Sequence, residues 1–365
     1  MESTGKYYIL VYNVLESHIS NIVVANPKWV RAVKGEKDDD KDTRWIADLF
    51  KLGIVRSSFI PQKDFRILRE LTRYKYKLVN MRSSEKNRFQ NALTSGNCKL
   101  DMVFTDVFGK SASNIIELIL SDNPYTDEYI LSNVHKNCIA SFDLILDSIN
   151  GTDLTPVQKS RIELVNDHIK QLSSNIQKLD KLIDLMIDPY EDYISFLCQI
   201  PGVSRSSAII ILSGIGVDMN QFTSSRRITS WAGLTPSSTQ SAGKKKSVRI
   251  SRAGVYLKPC LVEVAHATVK DKNHPYYANK FNKISKRRGK KRAYIAIARK
   301  ILVAAYHMLL IGDIWNPADL AEVEQRIKYV KNNLKSDIKQ LLDIGLTVEE
   351  LTLMIQQNAN IIAKQ

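Results

Sequence analysis

Three serines lie among small residues and cations in one stretch of the chain. Ser241 opens Ser241-Ala242-Gly243-Lys244-Lys245-Lys246, Ser247 follows it, and Ser251 sits in Val248-Arg249-Ile250-Ser251-Arg252-Ala253-Gly254. A serine hydroxyl attacks a phosphodiester when nearby cations stabilise the developing charge and a base or metal lowers its effective pKa. The same residue types also build phosphate-holding turns with no covalent step, so residue type alone leaves all three serines open. A second group is acidic. Asp38, Asp39, Asp40 and Asp42 include two carboxylates three apart, Asp39 and Asp42, that face one way on a helical turn and offer hard oxygen ligands to a divalent cation. Acids ahead of a helix are also favourable as a plain solvated N-terminus, so this spacing too has a structural alternative.

Charge narrows the choice of partner. The chain carries +15, and the stretch Lys244 to Lys300 alone holds eighteen Lys and Arg against Glu263 and Asp271, which leaves the remainder at −1. Excess positive charge concentrated in one segment is the footprint of a polyphosphate partner. Lys244, Lys245, Lys246, Arg249 and Arg252, with Lys286, Arg287, Arg288, Lys290, Lys291 and Arg292, are the expected DNA-phosphate contacts. The turn Ile200-Pro201-Gly202-Val203-Ser204 between two apolar stretches resembles a helix-hairpin-helix. Such a turn presents backbone N–H groups to a phosphate without reading bases, so Pro201, Gly202, Val203 and Ser204 join the expected DNA contacts, with an ordinary helix–helix turn as the alternative.

Other classes are excluded or disfavoured. The apolar stretches at Ile209 to Ile215 and Ile301 to Ile311 fall short of the roughly 18 residues that span a bilayer, and the start of the chain lacks a secretory signal. A cytoplasmic protein with no membrane partner is expected. Cys98, Cys138, Cys198 and Cys260 are widely spaced and read as reduced, buried thiols.

The elements that must position these groups read as follows. Lys6 to Leu15 is of mixed apolar character, His18 to Ala25 reads as a short buried strand, and Asn26-Pro27 punctuates before a helix with Trp29, giving an α/β alternation. A helix with Trp45, Ile46, Leu49 and Phe50 follows the acids and stops at Gly53. A long basic helix runs from Asp64 to about Leu93; it either lies along a nucleic-acid backbone or is an exposed face whose cations pair with Glu70 and Glu85. Ile162, Val165, Ile169, Leu172, Ile176, Leu179, Ile183 and Met186 alternate in steps of three and four, a heptad seam indicating a coiled coil. A helix of the same chain could close that seam, but self-association into a dimer or tetramer is the favoured expectation. After Asn316-Pro317 come two amphipathic helices, Ala318 to Ile344 and Thr347 to Ile362, without evident chemistry. The expected organisation is a partial α/β domain with the long basic helix at 1–110, a helical coiled-coil region at 111–190, a serine-bearing domain at 191–312 and a helical tail at 313–365.

Several stretches together carry a family resemblance. They are Met1-Glu2-Ser3-Thr4-Gly5 with Tyr7, Val24-Ala25-Asn26-Pro27, Lys37 through Leu49, Leu68-Arg69-Glu70-Leu71-Thr72-Arg73-Tyr74, Ile200-Pro201-Gly202, Ser230 to Pro236, Ser241 to Gly254, and Ala298-Arg299-Lys300. Over roughly residues 1 to 312 the chain resembles insertion-sequence transposases that pair a DEDD-type, RuvC-like N-terminal domain with a serine-bearing C-terminal transposase domain. The resemblance implies a mostly α protein with an incomplete RNase H-like domain, because its first aspartate and about three strands would precede Met1. It implies Mg²⁺ held by Glu2, Asp39 and Asp42, and Ser241 as a nucleophile forming a covalent intermediate with DNA. It also implies a guide RNA, for which Arg66, Arg69, Arg73 and Lys77 are the expected contacts. Ala242 departs from the glycine usual after that serine.

The function that results is DNA transposition or recombination by a mobile-element transposase acting on element ends and target. Two other readings stay open. One is a catalytically defective remnant that only binds DNA or RNA, and the other is a metal-dependent junction nuclease in which Ser241 is structural.

Overall fold

Helices account for nearly all regular structure, and the longest pair shows why. The computed structural model describes every residue except 4, 31–37, 122–125, 136–140, 237–238, 242–243, 248, 344–345 and 355–365, and leaves the side chains of 28, 29, 239–241 and 244–247 undescribed as well. Lys63–Ser95 and Pro156–Ile187 are helices of 33 and 32 residues. The second begins with a reciprocal cap, in which Thr155 accepts from the Gln158 N–H and the Gln158 side chain reaches back to the Thr155 N–H; this satisfies two end groups that have no partner inside the helix. The heptad seam lies along this helix and is already covered within the chain. Leu172, Ile176 and Leu179 pack on Leu78, Leu71 and Val79 of Lys63–Ser95. Ile162 and Ile169 enter a core with Phe89, Leu93, Ile115 and Ile145. Of the two expectations for the seam, closure by the same chain is the one realised from Ile162 to Leu179.

The chain divides into two compact units, one of Met1–Phe65 with Glu191–Gln365 and the other of Arg66–Tyr190. The second is all helix around the core just described, with Lys75 paired to Asp180 and the buried Glu85 paired to Arg88.

In the first unit the expected α/β alternation does not form. Residues Tyr7–Leu15 are a helix. The stretch read as a strand, His18 to Ala25, contributes one isolated parallel bridge, Glu2 with Ala25, and one antiparallel bridge, Ala25 with Ser57. The Ser3 N–H donates to the Ala25 carbonyl at 2.9 Å and the Ser58 N–H to the Val24 carbonyl at 2.7 Å. Val24 and Ala25 are buried, so the apolar signal was real. A strand, however, exists only as a ladder, and the neighbours here supply single rungs. Neither an α/β domain nor an RNase H-like sheet is present among the described residues.

The C-terminal part of this unit centres on the helix Lys290–Ile311, whose Ala293, Ile297, Ala298, Ile301, Leu302 and Ala305 are buried against Leu257–Lys270 and Tyr276–Arg288. By length and composition alone this helix could cross a membrane. Its basic first turn and its packing against helices on several sides identify it as a core helix. Residues 56–62 join this body through an aromatic cluster: the Phe59 ring lies 4.6 Å from Phe222 and 5.4 Å, edge-on, from Trp231. The tail contains the helix Leu320–Asp343, in which Val323 is buried.

Candidate functional site

The segment carrying the three serines folds as a β-hairpin on a pinned base. Thr239–Ser241 and Lys244–Ser247 pair antiparallel, with Thr239 opposite Ser247, Gln240 opposite Lys245 and Ser241 opposite Lys244. Below them Pro236 bridges Ile250. Ser241 is therefore the last residue before the tip. The side chains of Ser241, Lys244, Lys245, Lys246 and Ser247, and both Ala242 and Gly243, lie outside the described residues, so the structure fixes their backbone register or their place in the chain only.

The base of the hairpin explains two glycines. Gly233 and Gly254 both have φ of +70°, and a Cβ on Gly254 would sit 2.2 Å from the Ala232 carbonyl oxygen, one on Gly233 2.5 Å from that of Ala253. Two turns thus meet backbone to backbone, which only glycine permits. Lys258 locks the same corner, donating to the carbonyls of Ser251 and Ala253 at 2.8 Å each. Its pKa is held below the ordinary lysine value by partial burial. The Ser251 hydroxyl accepts from the Ala253 N–H at 3.3 Å within this turn, a structural engagement. Arg249 and Arg252 flank the base with exposed side chains.

A cationic corner stands at Gly289. Lys286, Arg287 and Arg288 form the last turn of Tyr276–Arg288, and Lys290, Lys291 and Arg292 open Lys290–Ile311, with Gly289 at φ +81° between them. All six are exposed, and none makes an ion pair or hydrogen bond among the described residues. The first three suit the negative end of a helix dipole, whereas the second three face a positive end and one another, each at a cost of some tenths of a kcal/mol. Unpaired charge placed against its own helix is what an external polyanion would relieve.

The Pro201-Gly202 turn joins the helices Glu191–Leu197 and Arg205–Ile215. Pro201 and Val203 are buried, while Gly202 and Ser204 are exposed. Ser204 caps the second helix by accepting from the Ser207 N–H at 3.3 Å. Gly202 has φ +84° and rests on Thr268, whose Cβ and backbone N would lie 2.7 Å and 2.9 Å from an added Cβ. Arg205 grips Glu191 through two hydrogen bonds of 3.2 and 2.9 Å across the turn.

The carboxylates are not gathered. Asp39 and Asp42 lie in the first turn of the exposed helix Asp39–Lys51, where Asp38 caps by accepting from the Asp40 N–H and pairs with Lys41. Glu2 sits on its bridge to Ala25. Among the described residues no group of three or more His, Cys, Asp or Glu side chains could hold a metal. The donor chemistry suits a hard divalent ion such as Mg²⁺, but this arrangement does not assemble a site for one. On the long helix Lys63–Ser95, Arg66 and Arg69 are half-buried while Arg73 and Lys77 are exposed. Among the thiols Cys98 and Cys260 are buried, Cys198 is half-buried, and Cys138 lies outside the described residues. Burial pushes the Cys260 thiol up to about 12.

Two family models match the segments so described. Residues 1–97 match a transposase model of the DEDD IS110 type, and residues 194–281 match the transposase IS116/IS110/IS902 family. Both segments are similar to IS110/IS116-type transposase domains. A relative of known annotation, the transposase for insertion sequence element IS1111A of Coxiella burnetii (strain RSA 493 / Nine Mile phase I), is 33% identical over 177 residues. The match spans 45% of this chain and 45% of that protein. The second matched segment contains the Pro201-Gly202 turn, the pinned hairpin and the first half of Tyr276–Arg288.

Lys258 was missed by sequence reasoning, as was the Phe59, Phe222 and Trp231 cluster. A lone lysine after a Ser-Arg-Ala-Gly turn carries no signal until the turn closes over it, and Phe59 lies far along the chain from its ring partners.

Proposed function

We propose that the protein is a mobile-element transposase that cuts and rejoins DNA, with Ser241 as nucleophile. The observation that carries this reading is the pinned hairpin: inside a transposase domain, it holds Ser241 beside a tip flanked by Lys244, Lys245 and Lys246, on a base rigidified by Gly233, Gly254 and Lys258. The Ser241 hydroxyl attacks a backbone phosphorus, and the bond from that phosphorus to one deoxyribose oxygen breaks. The serine loses a proton, and the departing oxygen gains one. A hydroxyl of another strand then attacks the phosphoserine, restoring the serine and a phosphodiester, so one ester replaces another and no energy source is needed. Arg249 and Arg252, with the six cations of the Gly289 corner, hold phosphates, and the Ser204 helix end with the Pro201-Gly202-Val203 turn grips the backbone without reading bases.

Glu2, Asp39 and Asp42 have the oxygen donors a divalent cation takes, but they stand apart, so no step is routed through a metal. A guide RNA along Arg66, Arg69, Arg73 and Lys77, and assembly into a dimer or tetramer through a surface other than the heptad seam, complete the reading.

The test is covalent trapping on DNA that carries element ends. A protein–DNA adduct is expected from the unaltered chain and from Ser247→Ala, and none from Ser241→Ala; an adduct that persists in Ser241→Ala refutes the nucleophile. The ungathered carboxylates favour one second reading, a chain that binds DNA or RNA without cutting it, and this would show as tight binding with no adduct from any form.

A further inference from the structure

A cavity of about 770 Å³ opens beside the core helix Lys290–Ile311, between that helix, the start of Tyr276–Arg288 and the segment 313–319. It belongs to none of the groups assigned above. Its walls differ in chemistry. The lining includes Arg299, Lys300 and Arg226, and also Trp315 and Tyr277 with aliphatic side chains such as Ile314.

The aromatic wall is built before any ligand arrives. Trp315 donates its indole N–H to the Tyr277 hydroxyl at 3.2 Å, and its ring stands edge-on to Tyr276 at 5.6 Å. With its polar edge satisfied and its plane fixed, the indole gives the cavity an apolar surface whose ordering entropy is already lost. The acid nearest the cations is already neutralised. Asp319 accepts from the Tyr276 hydroxyl at 2.7 Å and pairs with Lys280, which together hold its carboxyl below the usual range. Lys300 is different. It makes no ion pair or hydrogen bond among the described residues, and partial burial, then the neighbouring Lys280 and Arg299, press its pKa down against the opposing pull of the Asp319 carboxylate. Arg299 and Arg226 likewise lack a paired carboxylate, and the exposed Asp313 is the other acid on the wall. Lys300 and Arg226 are exposed and Arg299 is half-buried, and an anion seated there relieves the repulsion between Lys300 and its neighbours Lys280 and Arg299.

A preorganised indole and cations without an ion pair among the described residues line one space of this size, which fits one nucleotide, with the base against Trp315 and the phosphate on Lys300 and Arg299. We infer that this cavity receives an unstacked nucleotide of a single-stranded segment, as a site separate from the hairpin. The inference rests on the transposase reading only in taking nucleic acid as the partner. Single strand is favoured over duplex because a paired base presents no free face for stacking.

The test uses the full chain with three probes: a fluorescein-labelled single-stranded oligonucleotide of mixed sequence, the same sequence as duplex, and AMP. Trp315→Ala is expected to weaken single-strand binding roughly tenfold and leave duplex binding within about twofold, with Trp315→Phe restoring most of the loss. Lys300→Gln should weaken the single strand and lower its salt slope by about one unit, while Lys300→Arg retains both. Oligonucleotide carrying 5-iodouracil should crosslink at Trp315. Equal loss for single strand and duplex, no loss from either substitution, or crosslinks only elsewhere would overturn the site. AMP binding that Trp315→Ala abolishes, with oligonucleotide affinity unchanged, would overturn the strand in favour of a free nucleotide. Melting curves of each variant separate misfolding from lost contact. Failure of the transposase reading appears independently, as absence of the Ser241 adduct with the Trp315 crosslink intact.

Discussion

Replacing Gly254 with alanine tests the pinned hairpin, because the added Cβ would lie 2.2 Å from the Ala232 carbonyl oxygen and 2.9 Å from its carbon. Both are backbone atoms, so no side chain can swing away. Holding alanine at φ +70° costs about 1–2 kcal/mol, and opening the contact adds about 1–3 kcal/mol of overpacking, about 2–5 kcal/mol together. Gly289→Ala is the matched control. Its φ is +81°, yet nothing among the described residues lies within 4 Å of the added Cβ, so the loss should stay at about 1–2 kcal/mol. In a domain of this size each kcal/mol moves the melting temperature by about 2–4 °C, so calorimetry of the two variants should differ by several degrees. Trapping assays below both midpoints should then show the Ser241 adduct falling in Gly254→Ala and unchanged in Gly289→Ala. Equal melting temperatures would refute the backbone contact. A lower melting temperature with undiminished adduct would refute its role in presenting Ser241.

Four other outcomes are expected. Thr268 is fully buried and its hydroxyl has no hydrogen-bond partner among the described residues, so Thr268→Val should be neutral or stabilising by about 1 kcal/mol in urea unfolding. Removing two exposed cations in Arg287→Gln/Arg288→Gln should weaken duplex DNA binding at all sequences and reduce the log–log salt slope by about 2. The Asp319 carboxyl is depressed by Lys280 and then by Tyr276, so its contribution is complete above the unfolded value of about 4 and is lost as pH falls through the lower folded value; Asp319→Asn should flatten the acid limb of stability against pH. In thiol labelling of the native chain near pH 8, half-buried Cys198 should react before buried Cys98 and Cys260.

The helices were legible because their signals are local. The acids before Trp45 became the capped start of Asp39–Lys51, Gly53 closes just beyond it with φ +67°, and the long basic stretch became Lys63–Ser95. The heptad spacing located the buried face of Pro156–Ile187, but the identity of its partner depended on Leu71, Leu78 and Val79 folding back, which spacing cannot express. His18 to Ala25 misled for a related reason: its Val24 and Ala25 are buried, yet strand formation is decided by neighbours distant in the chain. At the candidate site, residue types marked Ser241 and the cations, while the pinned base arises where the turns at Gly233 and Gly254 meet, a contact between residues about twenty apart that residue types do not reveal.

The discontinuity of the first unit sets a timetable for synthesis. Phe59 finds its ring partners at Phe222 and Trp231, while residues 66–190 between them form a unit of their own. At roughly 5–20 residues per second of elongation, Phe59 waits on the order of 10–30 s before Phe222 is made. The intervening helices, with their local contacts, can fold in microseconds to milliseconds. They should be complete while the first 65 residues still present unburied aromatic and aliphatic side chains, the window in which chaperone capture or aggregation of nascent chains would concentrate. A ribosome stalled between residues 190 and 222 should therefore carry a protease-resistant middle and a protease-sensitive beginning.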